Sequence, residues 1–253
     1  MGLQGRNAVV TGGAQGIGRA IALRLARDGA NIGILDIQKE TAEKTSDDIR
    51  ALGVKAMAIQ CDATDYQQVR ESVARIYKEY GSIDILINNA GIDMAGQFVD
   101  TEPTQWDKIL NVNYRSFLIA SHVCIPYMVE SKRGNIVSMG SDAGRIGAAG
   151  EVLYCGTKAA IMASSKALAR ELARYNIRVN AVSPGPVHTD LWDQLHPGEK
   201  GQRVTEAVMK VIPMRRLGTP EDVADVVAFF VSEDARYLTG QVLSIDGGLT
   251  MIG

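Results

Sequence analysis

The sequence predicts a single-domain, doubly wound α/β fold, in which helices cover both faces of one parallel sheet. Three observations lead to this fold class. Short β-rich segments alternate with longer segments whose apolar residues recur at helical spacing. A glycine-rich turn directly follows the first short segment. With 253 residues and 46% hydrophobic composition, the chain can bury one large core without a second domain.

Seven segments have the length and composition of β-strands. They are residues 7–10, 31–35, 55–60, 83–87, 134–139, 178–183 and 242–245. Each is separated from the next by enough residues for a crossover connection, and right-handed crossovers place helices on both sides of a parallel sheet. We therefore expect a seven-stranded parallel sheet.

Six longer segments show apolar spacing suited to helices that pack on this sheet. They are residues 16–28, 38–52, 66–80, 104–131, 154–175 and 222–232. The stretch 183–218 is irregular, with several prolines and glycines among mixed charges. Long loops inside compact domains are usually functional or mobile, so we interpret residues 188–217 as a substrate lid. No repeat or linker divides residues 1–253, which indicates one domain.

Charge and cysteine content exclude several functional classes. A formal net charge of -2 gives no electrostatic footprint for nucleic acid or an anionic membrane. No apolar run approaches the roughly 18 residues that a membrane span needs, and no targeting segment is apparent. Cys61, Cys124 and Cys155 form no disulfide or zinc pattern, and the three histidines lack metal-ligand spacing. We expect a cytoplasmic protein without a metal site, acting on a small molecule.

A glycine-rich turn is predicted between the first strand and the first helix. Residues 11–18 read TGGAQGIG, and their glycines permit positive φ angles and close approach of a ligand to the backbone. The following helix would present unpaired N–H groups and the positive end of its dipole at the carboxyl edge of the sheet. A pyrophosphate would bind there, although such turns also serve purely structural purposes.

Asp36 ends the second predicted strand, about 20 residues beyond the turn, where a carboxylate can accept hydrogen bonds from the adenosine ribose. This carboxylate would repel a 2′-phosphate, and neither Ile37 nor Gln15 supplies a compensating cation. The sequence therefore favours NAD over NADP. The alternative is that Asp36 only caps the following helix.

Tyr154 and Lys158 stand four residues apart at the start of a predicted helix, so their side chains share one face. The pKa of a phenol is ordinarily near ~10. An adjacent ammonium and a positively charged nicotinamide would lower the pKa of Tyr154 and make it a usable base. Ser141 follows the strand 134–139 and could hydrogen-bond a substrate oxygen at the same sheet edge. A Tyr-x-x-x-Lys pair arises easily by chance, so the surrounding motifs decide the interpretation.

Together these motifs resemble those of the short-chain dehydrogenase/reductase family from end to end. The matching positions are, in chain order, residues 11–18, Asp62, Asn88-Asn89-Ala90-Gly91, Asn113, Ser141, Tyr154-x-x-x-Lys158, and Pro184-Gly185 leading to Thr189. The resemblance implies a Rossmann-type domain that transfers a hydride between NAD and a carbinol/ketone pair.

The resemblance also implies individual roles. Tyr154 would be the acid/base, Ser141 would steady the developing carbonyl oxygen, Lys158 would also bind the ribose hydroxyls, and Asn113 would hold a water that relays protons to Lys158. Asp62 would contact adenine. The implied cofactor-binding residues are Gly12, Gln15, Gly16, Ile17, Gly18, Asp36, Asp62, Ala63, Asn89, Ala90, Gly91, Tyr154, Lys158, Pro184, Gly185, Val187 and Thr189.

Several of these residues have a plainer interpretation. Asn113 could cap or kink its helix, and Ser138 could be the active hydroxyl in place of Ser141. Cys155 is expected to be a packing residue, because no histidine partner is apparent that would make it a nucleophile. The chain could also be a catalytically silent dinucleotide sensor, since a fold alone does not establish chemistry.

Substrate contacts are expected from residues 93–97, 142–151 and 191–211, which follow strand ends beside the nicotinamide. Asp142 and Glu151 could orient a polar substrate. The apolar walls could come from Met94, Ile146, Leu191, Trp192 and Leu195.

Segments 141–144, 150–151, 240–243 and 249–251 resemble the 2-hydroxycyclohexanecarboxyl-CoA dehydrogenases. This likeness implies an alicyclic hydroxyacyl-CoA as substrate, with sugar, polyol, steroid and 3-ketoacyl-thioester substrates as alternatives. Tetramers with paired long helices are common in the wider family, so a homotetramer is expected.

Overall fold

The computed structural model of the chain describes residues 2–252. Its strands form one parallel sheet in the order β3-β2-β1-β4-β5-β6-β7. They are β1 (Asn7–Thr11), β2 (Asn31–Asp36), β3 (Ala56–Gln60), β4 (Ile85–Asn88), β5 (Gly134–Met139), β6 (Ile177–Pro184) and β7 (Val242–Ile245). The predicted fold class, a seven-stranded doubly wound sheet in a single domain, is therefore confirmed.

The strand order reverses between β1 and β4. The chain runs outward from β1 to β3 and then returns, so that β4 pairs with the free side of β1, with Val10 opposite Ile87 and Thr11 opposite Asn88. Connections that leave the two strands on opposite sides of the sheet open a crevice beyond their carboxyl ends. The fold thus provides a ligand-binding crevice before any side chain is considered.

The helices match the predicted segments, with small differences at their ends. Within residues 2–252 they are α1 (Gly16–Arg27), α2 (Lys39–Arg50), α3 (Tyr66–Tyr80), α4 (Pro103–Ile109), α5 (Ser116–Ser131), α6 (Ala143–Ile146), α7 (Val152–Leu172), α8 (Asp190–Leu195), α9 (Gly198–Val211) and α10 (Pro220–Val231). The predicted helix 104–131 is α4 and α5 joined by a π-helical segment, Leu110–Arg115. Among the described helices, none combines the length and the apolarity that a bilayer crossing requires.

The stretch 183–218 is more regular than expected. It contains α8 and α9, which the glycines, prolines and mixed charges of the sequence concealed. α9 carries an apolar stripe that includes Val204, Val208 and Val211, but Gly201 is its only buried residue, and Val204 and Val211 are exposed. At the base of this stretch Val187 and Gly218 form a parallel bridge, which ties its two ends together. The expectation of an irregular loop was therefore wrong, and the function as a lid stays a prediction.

Two apolar layers cover the two faces of the sheet. On one face α1 and α10 pack against each other and against the strands, with Leu25 and Val227 fully buried. On the other face α3, α5 and α7 contribute, with Ile76 and Cys124 fully buried. Burial on both faces explains why the strand segments are apolar at nearly every position.

The turn between β1 and α1 depends on a close backbone approach at Gly18. A Cβ atom at this position would lie 2.0 Å from the Gly12 carbonyl oxygen and 2.5 Å from Asn89 Nδ2. Neither partner can move freely, because Gly12 is backbone and Asn89 is hydrogen-bonded in place. The turn therefore has room only for glycine.

We predict that Gly18→Ala destabilises the fold by about 3 kcal/mol or more, because the added methyl group overpacks the turn. For a chain of this size the thermal midpoint Tm should fall by at least about 6 °C in a thermal unfolding experiment. Gly156→Ala is the matched control. Gly156 lies within α7, and an added Cβ there would meet nothing within 4 Å, so Tm should stay constant or rise. Equal Tm values for the two variants would contradict the packing argument.

Candidate active site

A cavity of about 720 Å³ lies at the carboxyl ends of the central strands. Every residue that the sequence assigned to cofactor binding lines it, from Gly12 in the first turn to Thr189 before α8. Ser141, Tyr154 and Lys158 line the same cavity, whereas Asn113 lies behind the wall. The fold thus brings the residues together as predicted, while their individual roles remain to be tested.

The glycine turn forms the wall nearest to α1. Thr11 Oγ1 accepts hydrogen bonds from the N–H groups of Asn89 at 3.0 Å and Ala90 at 3.2 Å, and Asn89 Nδ2 donates to the Gly12 carbonyl at 2.8 Å. These bonds fix the turn against the end of β4. Above Gly16, whose φ is 55°, a Cβ would meet nothing closer than Thr189 at 3.9 Å. The open space beside the N-terminus of α1 fits a phosphate group.

Asp36 is buried at the end of β2 and is held by two backbone donors. Its Oδ2 accepts from Ala14 N at 2.9 Å and its Oδ1 accepts from Gln38 N at 3.0 Å. Each carboxylate oxygen retains acceptor capacity, so ribose hydroxyls can still bind it. Among the cavity-lining residues, the only Lys or Arg side chains are those of Lys108 and Lys158, which belong to α4 and α7. The residues present fit an adenosine ribose without a 2′-phosphate.

Two further strand ends also contribute to the cavity. Beside β3, Asp62 Oδ1 accepts from the Thr64 N–H and hydroxyl, both at 2.8 Å, which orients the predicted adenine contact. Beside β6, Gly185 N donates to Ile245 O at 3.1 Å. This bond holds the predicted nicotinamide segment, which begins at Pro184, against the end of β7.

Tyr154 and Lys158 lie on the first turns of α7. Lys158 is 5% exposed, and its Nζ lies 5.5 Å from the centroid of the Tyr154 ring. Nζ also donates to the Met139 carbonyl at 3.0 Å, which fixes the ammonium beside β5. Ser141 Oγ accepts from Ala143 N at 3.2 Å and interacts with the Tyr154 hydroxyl. The three groups therefore converge at the end of the cavity opposite Asp36.

Burial determines the protonation of this cluster. It raises the pKa of Tyr154 above its ordinary value; the Ser141 hydroxyl opposes this effect, and the charges of Asp93 and Glu151 add to it. Burial also lowers the pKa of Lys158 to about 8, opposed by the charge of Asp93. In the protein without a cofactor, desolvation outweighs the favourable effect expected from Lys158, and the combined effect of Lys158 and a positively charged nicotinamide stays a prediction. A base role for Tyr154 requires further positive charge beside the phenol.

Asn113 lies in the π-helical segment between α4 and α5. Its Oδ1 accepts from Ile92 N at 2.7 Å, while its Nδ2 donates to Ile92 O at 2.9 Å and to Thr157 Oγ1 at 3.2 Å. Thr157 Oγ1 in turn donates to the Tyr154 carbonyl at 2.8 Å. Asn113 therefore joins the segment after β4 to the helix of Tyr154. Sequence reasoning missed Thr157, because a threonine inside a helix carries no distinguishing local signal.

The sequence analysis also considered Ser138 as the active hydroxyl and Cys155 as a nucleophile. Ser138 is fully buried and accepts from Asn88 Nδ2 at 3.2 Å, so its hydroxyl does not reach the cavity. Cys155 is half-buried, and its Sγ accepts from Ala148 N at 3.3 Å. Burial raises the pKa of the Cys155 thiol, which disfavours the thiolate that a nucleophile needs.

Asp142 lines the cavity, and its side chain is also engaged by other groups of the protein. It is 3% exposed, and its Oδ1 accepts from the hydroxyls of Ser183 at 2.7 Å and Ser244 at 3.0 Å. Burial raises its pKa to about 6, with the Ser183 hydrogen bond opposing the rise. Asp142 thus ties the ends of β6 and β7 together, and its role in orienting a substrate stays a prediction.

Comparison with known proteins identifies relatives of this chain. The family model described as Enoyl-(Acyl carrier protein) reductase matches residues 12–250. The 3-oxoacyl-[acyl-carrier-protein] reductase FabG of Thermotoga maritima is 37% identical over 251 residues, 99% of this chain and 100% of the relative. The (2S)-[(R)-hydroxy(phenyl)methyl]succinyl-CoA dehydrogenase subunit BbsD of Thauera aromatica is also 37% identical, over 99% of both chains.

Solved structures with a closely similar fold belong to the same kind of enzyme. A short-chain type dehydrogenase/reductase from Mycobacterium marinum has a TM-score of 0.93 at 32% identity and covers 99% of this chain and 98% of its own. An NAD+-bound xylitol dehydrogenase also has a TM-score of 0.93 at 32% identity, with 97% and 99% covered. The chain therefore belongs to the short-chain dehydrogenase/reductase family of oxidoreductases.

Proposed function

We propose that this chain oxidises a secondary alcohol to a ketone with NAD, or reduces the ketone in reverse, with Tyr154 as the acid/base. The observation that supports this most directly is the convergence of Tyr154, Ser141 and Lys158 at one end of the cavity whose other end holds the glycine turn and Asp36. Such an arrangement accommodates a dinucleotide with its reactive ring beside the phenol.

When bound, NAD supplies a hydride acceptor at its nicotinamide ring. The Tyr154 oxygen accepts the proton of the substrate hydroxyl as the hydride leaves the carbinol carbon, so that the C–O single bond becomes a carbonyl. Ser141 Oγ donates a hydrogen bond to the substrate oxygen while its charge changes. Lys158 stabilises the phenolate electrostatically and has donors left for a ribose hydroxyl, since Met139 accepts only one.

We also propose that a water joins Asn113 to Lys158. Asn113 Oδ1 and Lys158 Nζ each lie 3.4 Å from the point that a Cβ on Gly91 would occupy. This leaves a gap between an acceptor and a donor that is bounded by a residue without a side chain. A water in this gap could pass a proton between Lys158 and solvent.

The preference for NAD is supported by Asp36 and its surroundings. The carboxylate is fixed by Ala14 and Gln38, and the following Ile37 is 64% exposed and uncharged. A dianionic 2′-phosphate would therefore meet a fixed negative charge and no cation. The NAD+-bound xylitol dehydrogenase shows that a protein of this fold can use this cofactor.

Two substrate classes have support among the relatives. BbsD acts on an acyl-CoA, which favours the alicyclic hydroxyacyl-CoA and 3-ketoacyl-thioester interpretations. The xylitol dehydrogenase favours a polyol. We propose that residues 188–217 act as a lid over either substrate, since Leu191, Trp192 and Leu195 line the cavity. An absorbance assay at the reduced nicotinamide band with alicyclic hydroxy acids, their CoA thioesters, 3-ketoacyl thioesters and polyols distinguishes these classes.

We further propose that the protein is a cytoplasmic homotetramer. Leu110 and Leu118 are 47% and 44% exposed on the helix formed by α4 and α5, which supports an apolar contact between copies. The free cysteines suit a reducing compartment. Sedimentation at micromolar concentration measures the oligomeric state.

We predict that Tyr154→Phe lowers kcat by about 10³-fold or more, because the proton acceptor is lost while the ring remains. NADH affinity, followed by fluorescence, should change by no more than a few-fold. Tyr237→Phe is the matched control, because Tyr237 is 99% exposed and outside the cavity, and it should retain full activity. A Tyr154→Phe enzyme with the wild-type rate would disprove the assigned role.

We predict that Asp36→Asn raises the ratio of kcat/KM for NADP to that for NAD by at least about tenfold, since the repulsion of the 2′-phosphate disappears. Adding Ile37→Arg should increase the ratio further by supplying a cation. Kinetics at low ionic strength measure both cofactors, with Asp47→Asn on the exposed side of α2 as the control. An unchanged ratio in both Asp36 variants would show that another group selects the cofactor.

A further inference from the structure

Two carboxylates stand in the substrate half of the cavity. Asp93 follows β4 and Glu151 immediately precedes α7, and both line the cavity that contains Tyr154. The two segments are tied to each other, because Gly96 N donates to the Gly150 carbonyl at 2.9 Å. The carboxylates therefore belong to one connected wall beside the reacting hydroxyl.

This wall presents acceptors that the protein does not satisfy. Asp93 Oδ1 accepts from Met94 N at 2.6 Å. Within residues 2–252, no side chain or N–H group donates to the second Asp93 oxygen or to either side-chain oxygen of Glu151. Both residues are only partly buried, so these oxygens open to the cavity. A bound molecule would have to supply the missing donors.

The two carboxylates influence the pKa values of each other and of the neighbouring residues. Burial raises the pKa of Glu151 to about 7, and the charge of Asp93 adds to the rise. Burial also raises the pKa of Asp93, opposed by the Met94 N–H group and the charge of Lys158. Both carboxylates act on the pKa of Tyr154 as well. Above the Glu151 pKa of about 7, for example at pH 8, Glu151 gives this wall a negative charge.

The remaining cavity walls offer little to an anionic substituent at this position. Lys158 is directed to Met139 and the Tyr154 ring, and Lys108 is exposed on α4. The proposed lid contributes Asp190, Leu191, Trp192, Gln194, Leu195 and His196 to the lining, and His196 Nδ1 already lies 3.0 Å from the Trp192 carbonyl oxygen. A carboxylate or a carbonyl oxygen placed against Asp93 and Glu151 would face two acceptors without a donor.

We propose that Asp93 and Glu151 are specificity determinants that select an alcohol carrying a second hydrogen-bond donor, a hydroxyl or an ammonium group, on a carbon next to the carbinol. The same pair disfavours a carboxylate or a thioester carbonyl at that position. This inference rests on the proposed function, because it assumes that Tyr154 reacts with a carbinol. Of the two substrate classes proposed above, the acyl thioesters and the polyols, this inference favours the polyols.

Four cyclohexane derivatives isolate the effect, because they share the ring and the reacting carbinol. They are cyclohexanol, trans-1,2-cyclohexanediol, trans-2-aminocyclohexanol and trans-2-hydroxycyclohexanecarboxylate. We expect kcat/KM with NAD at pH 8 to be at least about tenfold higher for the diol and the amino alcohol than for cyclohexanol, because a bond to a charged acceptor is gained. The carboxylate should react slowest.

Two conservative variants test the residues directly. Asp93→Asn keeps the acceptor for Met94 N, and Glu151→Gln loses no hydrogen bond within the described structure. Each should reduce the preference for the diol over the carboxylate by at least about tenfold, because the charge is removed and an amide donor is introduced. Asp234→Asn, at an exposed position after α10, is the control and should keep the wild-type preference.

The pH dependence separates charge from hydrogen bonding. Between pH 8 and pH 6, Glu151 gains a proton, since its pKa is about 7. At pH 8 we expect the positively charged amino alcohol to react faster than the neutral diol, and this difference should shrink as the pH falls. The carboxylate should become a better substrate over the same range. In Glu151→Gln both trends should be weaker.

Binding of the same four compounds to the enzyme–NADH complex, followed by NADH fluorescence, separates this inference from the proposed function. Preferential binding of the diol without hydride transfer to NAD from any compound would count against the proposed function alone. Hydride transfer that is abolished by Tyr154→Phe, but with equal rates for the diol and the carboxylate in all variants, would overturn the inference alone. A preference that Asp234→Asn changes as much as Glu151→Gln would also overturn it.

Discussion

The packing of the β1–α1 turn against the end of β4 is the constraint on which the rest of the site depends. Gly18 leaves space for the Gly12 carbonyl and Asn89, and Thr11 accepts from two N–H groups beyond β4. These contacts fix the point at which the strand order reverses. Ala14 N of the same turn donates to Asp36, so the proposed phosphate-binding surface and the proposed ribose-binding carboxylate are positioned by one set of backbone contacts.

A second set of contacts positions the reacting groups relative to this turn. Asn113 binds the backbone of Ile92 beyond β4 and Thr157 on α7, and Thr157 binds the Tyr154 carbonyl. The π-helical segment around Asn113 interrupts the regular helix at this point, as π-bulges often do at functional sites. The strand that holds the cofactor turn therefore also holds the helix of the proposed base, so the distance between the two halves of the cavity is set by the same strand.

The sequence was sufficient to predict the sheet, the crossover helices and the residues that line the cavity, because each depends on a local pattern such as buried strand segments or a glycine turn. It was insufficient where the cause is tertiary. α9 leaves Val204 and Val211 of its apolar stripe exposed, and Asp142 is engaged by Ser183 and Ser244 from distant strands. The raised pKa of Tyr154 likewise arises from burial, which residue spacing along α7 does not reveal.

The raised pKa of Tyr154 does not exclude its proposed role as an acid in one direction and a base in the other, because the charge of the nicotinamide ring differs between the two directions. Burial, Asp93 and Glu151 keep the phenol protonated in the protein alone, which is the state that donates a proton to a ketone. A reduced nicotinamide ring is neutral and leaves this state unchanged. An oxidised ring is positive and favours the phenolate, the state that accepts a proton from an alcohol. Lys158, whose pKa burial lowers to about 8, is mostly protonated at neutral pH and would favour the phenolate together with that ring. In the proposed reaction, the protonation of Tyr154 would thereby match the direction in which the hydride moves.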